Sequence, residues 1–158
     1  MGKLRRAGSG KRGKSQQYKL RFPSKTYNLR LIRDFISRVA CDSGFSSNEV
    51  KDIVLAVDEA CTNVIKHAYK NLEDGDIFIR AGYDRVKLTI IVSDTGVGFD
   101  PGQFERFDVR KHVAQYKVGG LGIHIMRSLM DEVRYHIEPG VRNSVELVKY
   151  CPGVKERV

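Results

Sequence analysis

No uninterrupted apolar stretch in this 158-residue chain approaches the roughly 18 residues that a membrane-spanning helix needs. Nor is the basic N-terminus followed by the apolar segment of a secretory signal, so the expectation is a soluble, cytoplasmic protein. Cysteine is scarce. Cys41, Cys61 and Cys151 are an odd number at wide spacing without a C-x-x-C pair, which argues against a zinc site or a thiol redox motif and predicts reduced, mostly buried thiols. Acidic residues are missing from the first 19 positions, which hold seven basic ones: Lys3, Arg5, Arg6, Lys11, Arg12, Lys14 and Lys19. The formal charge of +9 would by itself suggest a nucleic-acid or acidic-membrane partner, but it sits mostly in this one segment. The remaining 139 positions balance 21 basic against 19 acidic residues and are nearly neutral. No internal repeat is evident, and with 41% hydrophobic residues the chain has the material for one ordinary domain.

Residues 1–17, with Gly2, Gly8, Gly10 and Gly13 among Lys, Arg, Ser and Gln, read as a disordered basic tail. Residues 18–151 read as the folded domain and 152–158 as a short C-terminal tail. Tyr18 to Phe22 alternates before Pro23 and predicts an edge strand. Leu29, Ile32, Ile36 and Val39 have helical spacing, with Gly44 as the stop. A second helix, capped by Ser46 or Ser47, carries Ile53, Val54, Val57, Ala60, Cys61, Val64, Ile65 and Ala68. It is apolar around much of its girth and should be a central packing element. Asp76–Tyr83 and Val86–Val92 predict a hairpin, and Gly120–Asp131 a third helix. Val133–Ile137 and Asn143–Tyr150 are joined by Pro139-Gly140 and predict two last strands. Between hairpin and third helix, Ser93–Val118 is a long connection of the kind that often forms a functional lid. Together these elements predict an α+β fold: a two-layer α/β sandwich with a mixed, mostly antiparallel sheet covered by helices on one face.

Three places carry chemistry. Glu59 and Asn63, four residues apart, share a face of the apolar second helix. Burying them without partners would cost a few kcal/mol each, so they belong either to a solvated stripe with Asp58, Thr62 and Lys66 or to a ligand. Asp94-Thr-Gly-Val-Gly98 ends an apolar strand. It is either a turn or a place where backbone approaches a flat ligand and a carboxylate accepts from an exocyclic amine. Gly119-Gly-Leu-Gly122 opens a helix and is either a hinge or a phosphate site made of unpaired N–H groups at the positive end of the helix dipole. The patterns G-x-x-x-x-G-K-[ST] and G-x-G-x-x-G are both absent, so neither of those nucleotide folds is supported. His67 is expected to pack at a helix end, His112 and His124 lack the surroundings of a triad, and Met126 and Met130 have core spacing with Ile123.

In this order the segments resemble the boxes of the GHKL ATPase superfamily: Val57-Asp-Glu-Ala-Cys-Thr-Asn-Val-Ile-Lys-His-Ala-Tyr69 the N-box, Asp94–Gly98 the G1 box, and Gly119–Gly122 with Ile125-Met-Arg-Ser-Leu-Met-Asp-Glu-Val133 the G2 box. The chain is most similar to bacterial anti-sigma factor serine-protein kinases of the RsbW type, over about residues 18 to 150. The resemblance implies the Bergerat-type ATP-binding fold, ATP and Mg²⁺ as cofactors, and a homodimer. It implies an anti-sigma factor that phosphorylates an antagonist protein and sequesters a sigma factor by partner switching. Glu59 would be the general base, Asn63 the Mg²⁺ ligand, and Asp94 the reader of the adenine amine, beside Gly96 and Gly98. Gly119, Gly120, Leu121 and Gly122 would meet the phosphates. Relatives place a Thr near the start of the last strand, where Ser144 is the nearest hydroxyl here. Kinase relatives carry a basic residue just before the G2 glycines, where Val118 stands here, with Lys117 one position earlier able to reach the terminal phosphate. The alternatives are a nucleotide-binding regulatory module without efficient transfer and a nucleic-acid-binding protein acting through the tail. Nucleic acid is expected only as a nonspecific contact of the tail, and a membrane partner is not expected.

Overall fold

The computed structural model of the chain describes residues 15–69, 74–98 and 120–154. Its strands are β1 (Gln16–Pro23), β2 (Asp76–Tyr83), β3 (Lys87–Asp94), β4 (Glu132–Glu138) and β5 (Arg142–Tyr150), in the spatial order β1-β2-β3-β5-β4. β1 starts two residues before Tyr18, inside the stretch expected as tail. All four pairings are antiparallel, as the mostly antiparallel sheet expected requires, and the parallel pair that would have made it mixed does not occur among the described strands. The reason is topological. The connection out of β3 returns β4 in the direction of β3, and adjacency would have made a parallel pair; the β4–β5 hairpin places β5 between them.

Three helices follow the predicted periodicities: α1 (Leu29–Asp42), α2 (Ser47–Asn63) and α3 (Leu121–Leu129). α1 buries Ile32, Ile36, Val39 and Ala40 and ends before Gly44, whose φ of +90° is in the left-handed region that suits glycine. Ser46 caps α2 in a capping box: its hydroxyl accepts from the Glu49 N–H, and the Glu49 carboxylate accepts from the Ser46 N–H at 2.9 Å. α2 is the central element expected, packed between α1 and α3. Beyond Asn63 it widens into a π-helical turn, Val64–Ala68.

Strand alternation assigns the two faces of the sheet. Ile77, Ile79, Ala81, Leu88, Ile90, Val92, Val145 and Leu147 point to one side and join the helix residues in a single core. Lys19, Arg21, Arg80 and Arg134 occupy exposed positions of the other parity. That gives the two layers expected, with the three described helices on one face. Ile123, Met126 and Met130 are core residues, Cys61 and Cys151 are buried and Cys41 is exposed, and the three thiols are free. Among the described residues, no helix is long and apolar enough to cross a membrane.

Candidate functional site

Glu59 and Asn63 lie near the end of α2, half-buried, and neither side chain has a hydrogen-bond or ion-pair partner among the described residues. Their neighbour is α3. A Cβ placed on Gly122 would stand 2.6 Å from Glu59 Oε2 and 3.7 Å from Asn63 Nδ2. The first turn of α3 therefore lies directly against the carboxylate and the amide, an approach that a side chain at residue 122 would obstruct. Gly120, with φ +82°, turns the chain into α3, and the His124 N–H to Gly120 carbonyl bond at 3.1 Å is the first of that helix. The N–H groups of Leu121, Gly122 and Ile123 precede that first bond and so lack intrahelical acceptors. Their partial positive charge gathers beside Glu59 and Asn63. Asp58, by contrast, turns the other way. Its two oxygens accept from Arg33 Nε and Nη2 on α1 at 2.6 and 3.0 Å. Asp58 is thus engaged with α1 while Glu59 and Asn63 lie against α3.

The second half of the site is the end of β3. Asp94 is 7% exposed, and its Oδ1 accepts from the Gly96 N–H at 2.8 Å and from Asn143 Nδ2 at 2.9 Å. No cation pairs with it among the described residues. Burying a carboxylate on neutral donors alone is costly, and a neutral amide would serve a plain turn as well. The turn itself is pressed onto the widened end of α2: the Val97 N–H donates to the Ala68 carbonyl at 2.9 Å, and a Cβ on Gly96 would stand 2.0 Å from that oxygen. Gly98 has φ +73°, and a Cβ there would meet Asn143 Oδ1 at 2.8 Å and Ile137 Cγ2 at 3.0 Å. Tyr69 ties the same end of α2 to both strands, donating to the Asp76 carbonyl at 2.7 Å and accepting from the Thr95 N–H at 3.1 Å.

The chain that carries this arrangement is similar in sequence and fold to known proteins. A family model described as the histidine kinase-like ATPase domain covers residues 22–149. The chain belongs to that family. Its curated relatives include the serine-protein kinase RsbW of Bacillus subtilis (strain 168), 38% identical over 143 residues that cover 88% of this chain and 87% of that protein. The serine-protein kinase RsbW of Listeria monocytogenes serovar 1/2a is 36% identical over 135 residues, 83% of this chain and 85% of that protein. Within the histidine kinase-like ATPases the chain therefore stands among the RsbW-type serine-protein kinases. The fold is also that of a crystal structure of the RsbU and RsbW domains of Rv1364c from Mycobacterium tuberculosis. That likeness has a TM-score of 0.58 at 17% identity and covers 85% of this chain and 33% of that longer one.

Of the residues predicted for this ATPase site, the structure gathers Glu59, Asn63, Gly120, Leu121 and Gly122 at the α2–α3 contact. Asp94, Gly96 and Gly98 gather at the end of β3. Lys117 and Gly119 lie outside the described residues, as does most of the expected lid. Ser144 is not brought to Asp94. It pairs with Ser93, so it shares the opposite face of the sheet, while the register places Asn143 opposite Asp94. Asn143, which the sequence did not single out, is the residue whose amide donates to Asp94, one position before the hydroxyl expected there. His67 and His124 are exposed.

Proposed function

We propose that this RsbW-type serine-protein kinase transfers the γ-phosphoryl group of ATP to a serine of an anti-sigma-factor antagonist, and in its other state sequesters a sigma factor in the cytoplasm. The observation that supports this most strongly is the contact of Gly122 with Glu59 and Asn63, which puts a base, an amide and a helix N-terminus around one point. Glu59 accepts the proton of the attacking serine hydroxyl as its oxygen bonds to the γ-phosphorus, and the bond to the bridging oxygen breaks to release ADP. The N–H groups at the start of α3 hold phosphate oxygens, and Asp94 accepts from the adenine amine. These residues fit a nucleotide on two counts: the cradle that a Cβ at residue 122 would fill, and the unpaired buried oxygen of Asn143 beside Asp94. Mg²⁺ would neutralise the charge of the phosphates, and Asn63 is the residue that would hold it. Among the described residues, no three His, Cys, Asp or Glu side chains converge, so the phosphates themselves would complete its coordination. A homodimer is proposed on family grounds.

The test is transfer of label from radiolabelled ATP to a purified antagonist. Glu59→Ala is expected to lower the rate at least a hundredfold while the protein still binds nucleotide. Absence of transfer by the unmodified chain, or an undiminished rate in Glu59→Ala, would defeat the assignment. Binding without transfer would leave the regulatory module.

A further inference from the structure

β5 carries a charge onto the core side of the sheet. Lys149 has the parity of Val145 and Leu147, which point into the core, and it is only 9% exposed. An ammonium in that position is costly, and an apolar residue would fill it at less cost. Its partners lie at the end of α3. Leu129 is the last residue of that helix, where carbonyls have no intrahelical donor, and its carbonyl accepts from Lys149 Nζ at 2.5 Å. Asp131 Oδ1 stands 4.0 Å from the same ammonium. A cation at this end also complements the negative pole of the helix dipole. Asp131 adds two bonds to the attachment: its N–H donates to the Val148 carbonyl at 2.9 Å, and its Oδ2 accepts from the Tyr150 N–H at 2.7 Å. Of these three bonds only the one from Lys149 reaches the helix itself. The outgoing end of α3 is therefore tied to β5, while its first turn, about 12 Å away at the usual helical rise, lies against Glu59 and Asn63. Near its other end β5 holds Asp94 through Asn143, so one strand braces both halves of the site.

We infer that Lys149 is a positioning residue for the phosphates of the nucleotide: by holding the C-terminal end of α3 it sets where the N–H groups of Leu121, Gly122 and Ile123 stand beside Glu59 and Asn63. It acts through the helix, from the end opposite the phosphates. This rests on the nucleotide-binding reading above. Released at Leu129, α3 is free to shift along α2, and a displacement of about 1 Å takes its N–H groups out of the short range that hydrogen bonds to phosphate oxygens need. Asp94 sits on β3 and is not moved by such a shift. Loss of Lys149 therefore weakens the phosphate share of binding and spares the base share.

Calorimetric titration of the full chain with Mg·ADP and with adenosine, which lacks the phosphates, tests this. The unmodified protein is expected to bind Mg·ADP more tightly. In Lys149→Met, Mg·ADP affinity should fall roughly tenfold while adenosine affinity stays within about twofold, so that the ratio of the two moves toward one. Thermal unfolding without ligand reports whether the variant is folded. If it is not, Lys149→Gln, which keeps a donor for the Leu129 carbonyl, carries the same comparison with a smaller loss expected. Equal loss for both ligands would make Lys149 a support of the fold only and overturn the inference, as would an unchanged Mg·ADP affinity in a folded variant. If the unmodified chain binds neither ligand, the nucleotide-binding reading itself has failed. If it binds Mg·ADP but the ratio ignores residue 149, only the inference has.

Discussion

A methyl group separates two glycines of the site by what it would strike. At Gly96 it would meet the Ala68 carbonyl at 2.0 Å, a backbone atom fixed by the end of α2, whereas at Gly122 it would meet Glu59 Oε2 at 2.6 Å, the far end of a flexible side chain. Gly96→Ala should therefore destabilise the fold by about 1–3 kcal/mol, seen as a lower urea midpoint. Gly122→Ala should leave stability within about 0.5 kcal/mol, since Ala favours the helix and the carboxylate can swing away. The displaced base should nonetheless lower phosphotransfer tenfold or more, and full activity in a stable Gly122→Ala protein would show that Glu59 is not positioned by this contact. Glu59, Asn63, Asp94 and these glycines were legible in the sequence because each breaks a local rule, as a polar pair in an apolar helix or glycine clusters where strand or helix should run. Asn143 was missed although a signal existed. Val145 and Leu147 face the core, and carrying their alternation back two residues reaches Asn143 and passes over Ser144.

The β2–β3 turn shows how an element boundary is held. Asp84 Oδ1 accepts from the Lys87 N–H at 2.9 Å and the Val86 N–H at 2.7 Å, bonds that favour its ionised form and hold its carboxyl below the ordinary carboxylate range. A carboxyl lowered on folding contributes stability that is complete above its unfolded pKa and is lost as pH falls through the folded one. Asp84→Ala should therefore cost about 1 kcal/mol at pH 7, and the difference from the unmodified chain should shrink below about pH 4. Denaturant unfolding at pH 7 and at lower pH checks both the size and the sign, and a gap that widens in acid would refute the account. Most element boundaries were readable because caps and turns are local chemistry: Ser46, Gly44 and Pro139-Gly140. The π-helical turn at Val64–Ala68 was not readable, since its residues keep helical apolar spacing. Its widening accompanies a contact distant in sequence, the Ala68 carbonyl with the Val97 N–H. That no parallel pair occurs among the described strands was illegible for a similar reason, because strand order depends on where the β4–β5 hairpin docks.

At the scale of the whole molecule, most of the net positive charge precedes the described elements in the chain. The family match begins at residue 22 and β1 at Gln16, while six positive charges lie at residues 1–14. A chain beginning at Ser15 would fall from +9 to +3 and keep every described strand and helix. It should unfold within about 2 °C of the full chain, because every residue of the described core is kept. Nucleotide adds a second measurement on the same samples. At about a hundred times its dissociation constant, Mg·ATP should stabilise both forms by roughly 2.7 kcal/mol, a rise of several degrees, and Asp94→Asn should abolish that rise in either form. Retention on an anionic column should drop for the shortened chain alone, because the electrostatic attraction scales with the charges removed. Loss of the nucleotide-dependent rise on shortening would place the basic segment inside the ATPase function, and equal column retention would mean that the cations on the exposed sheet face, Lys19, Arg21 and Arg80 among them, dominate the field.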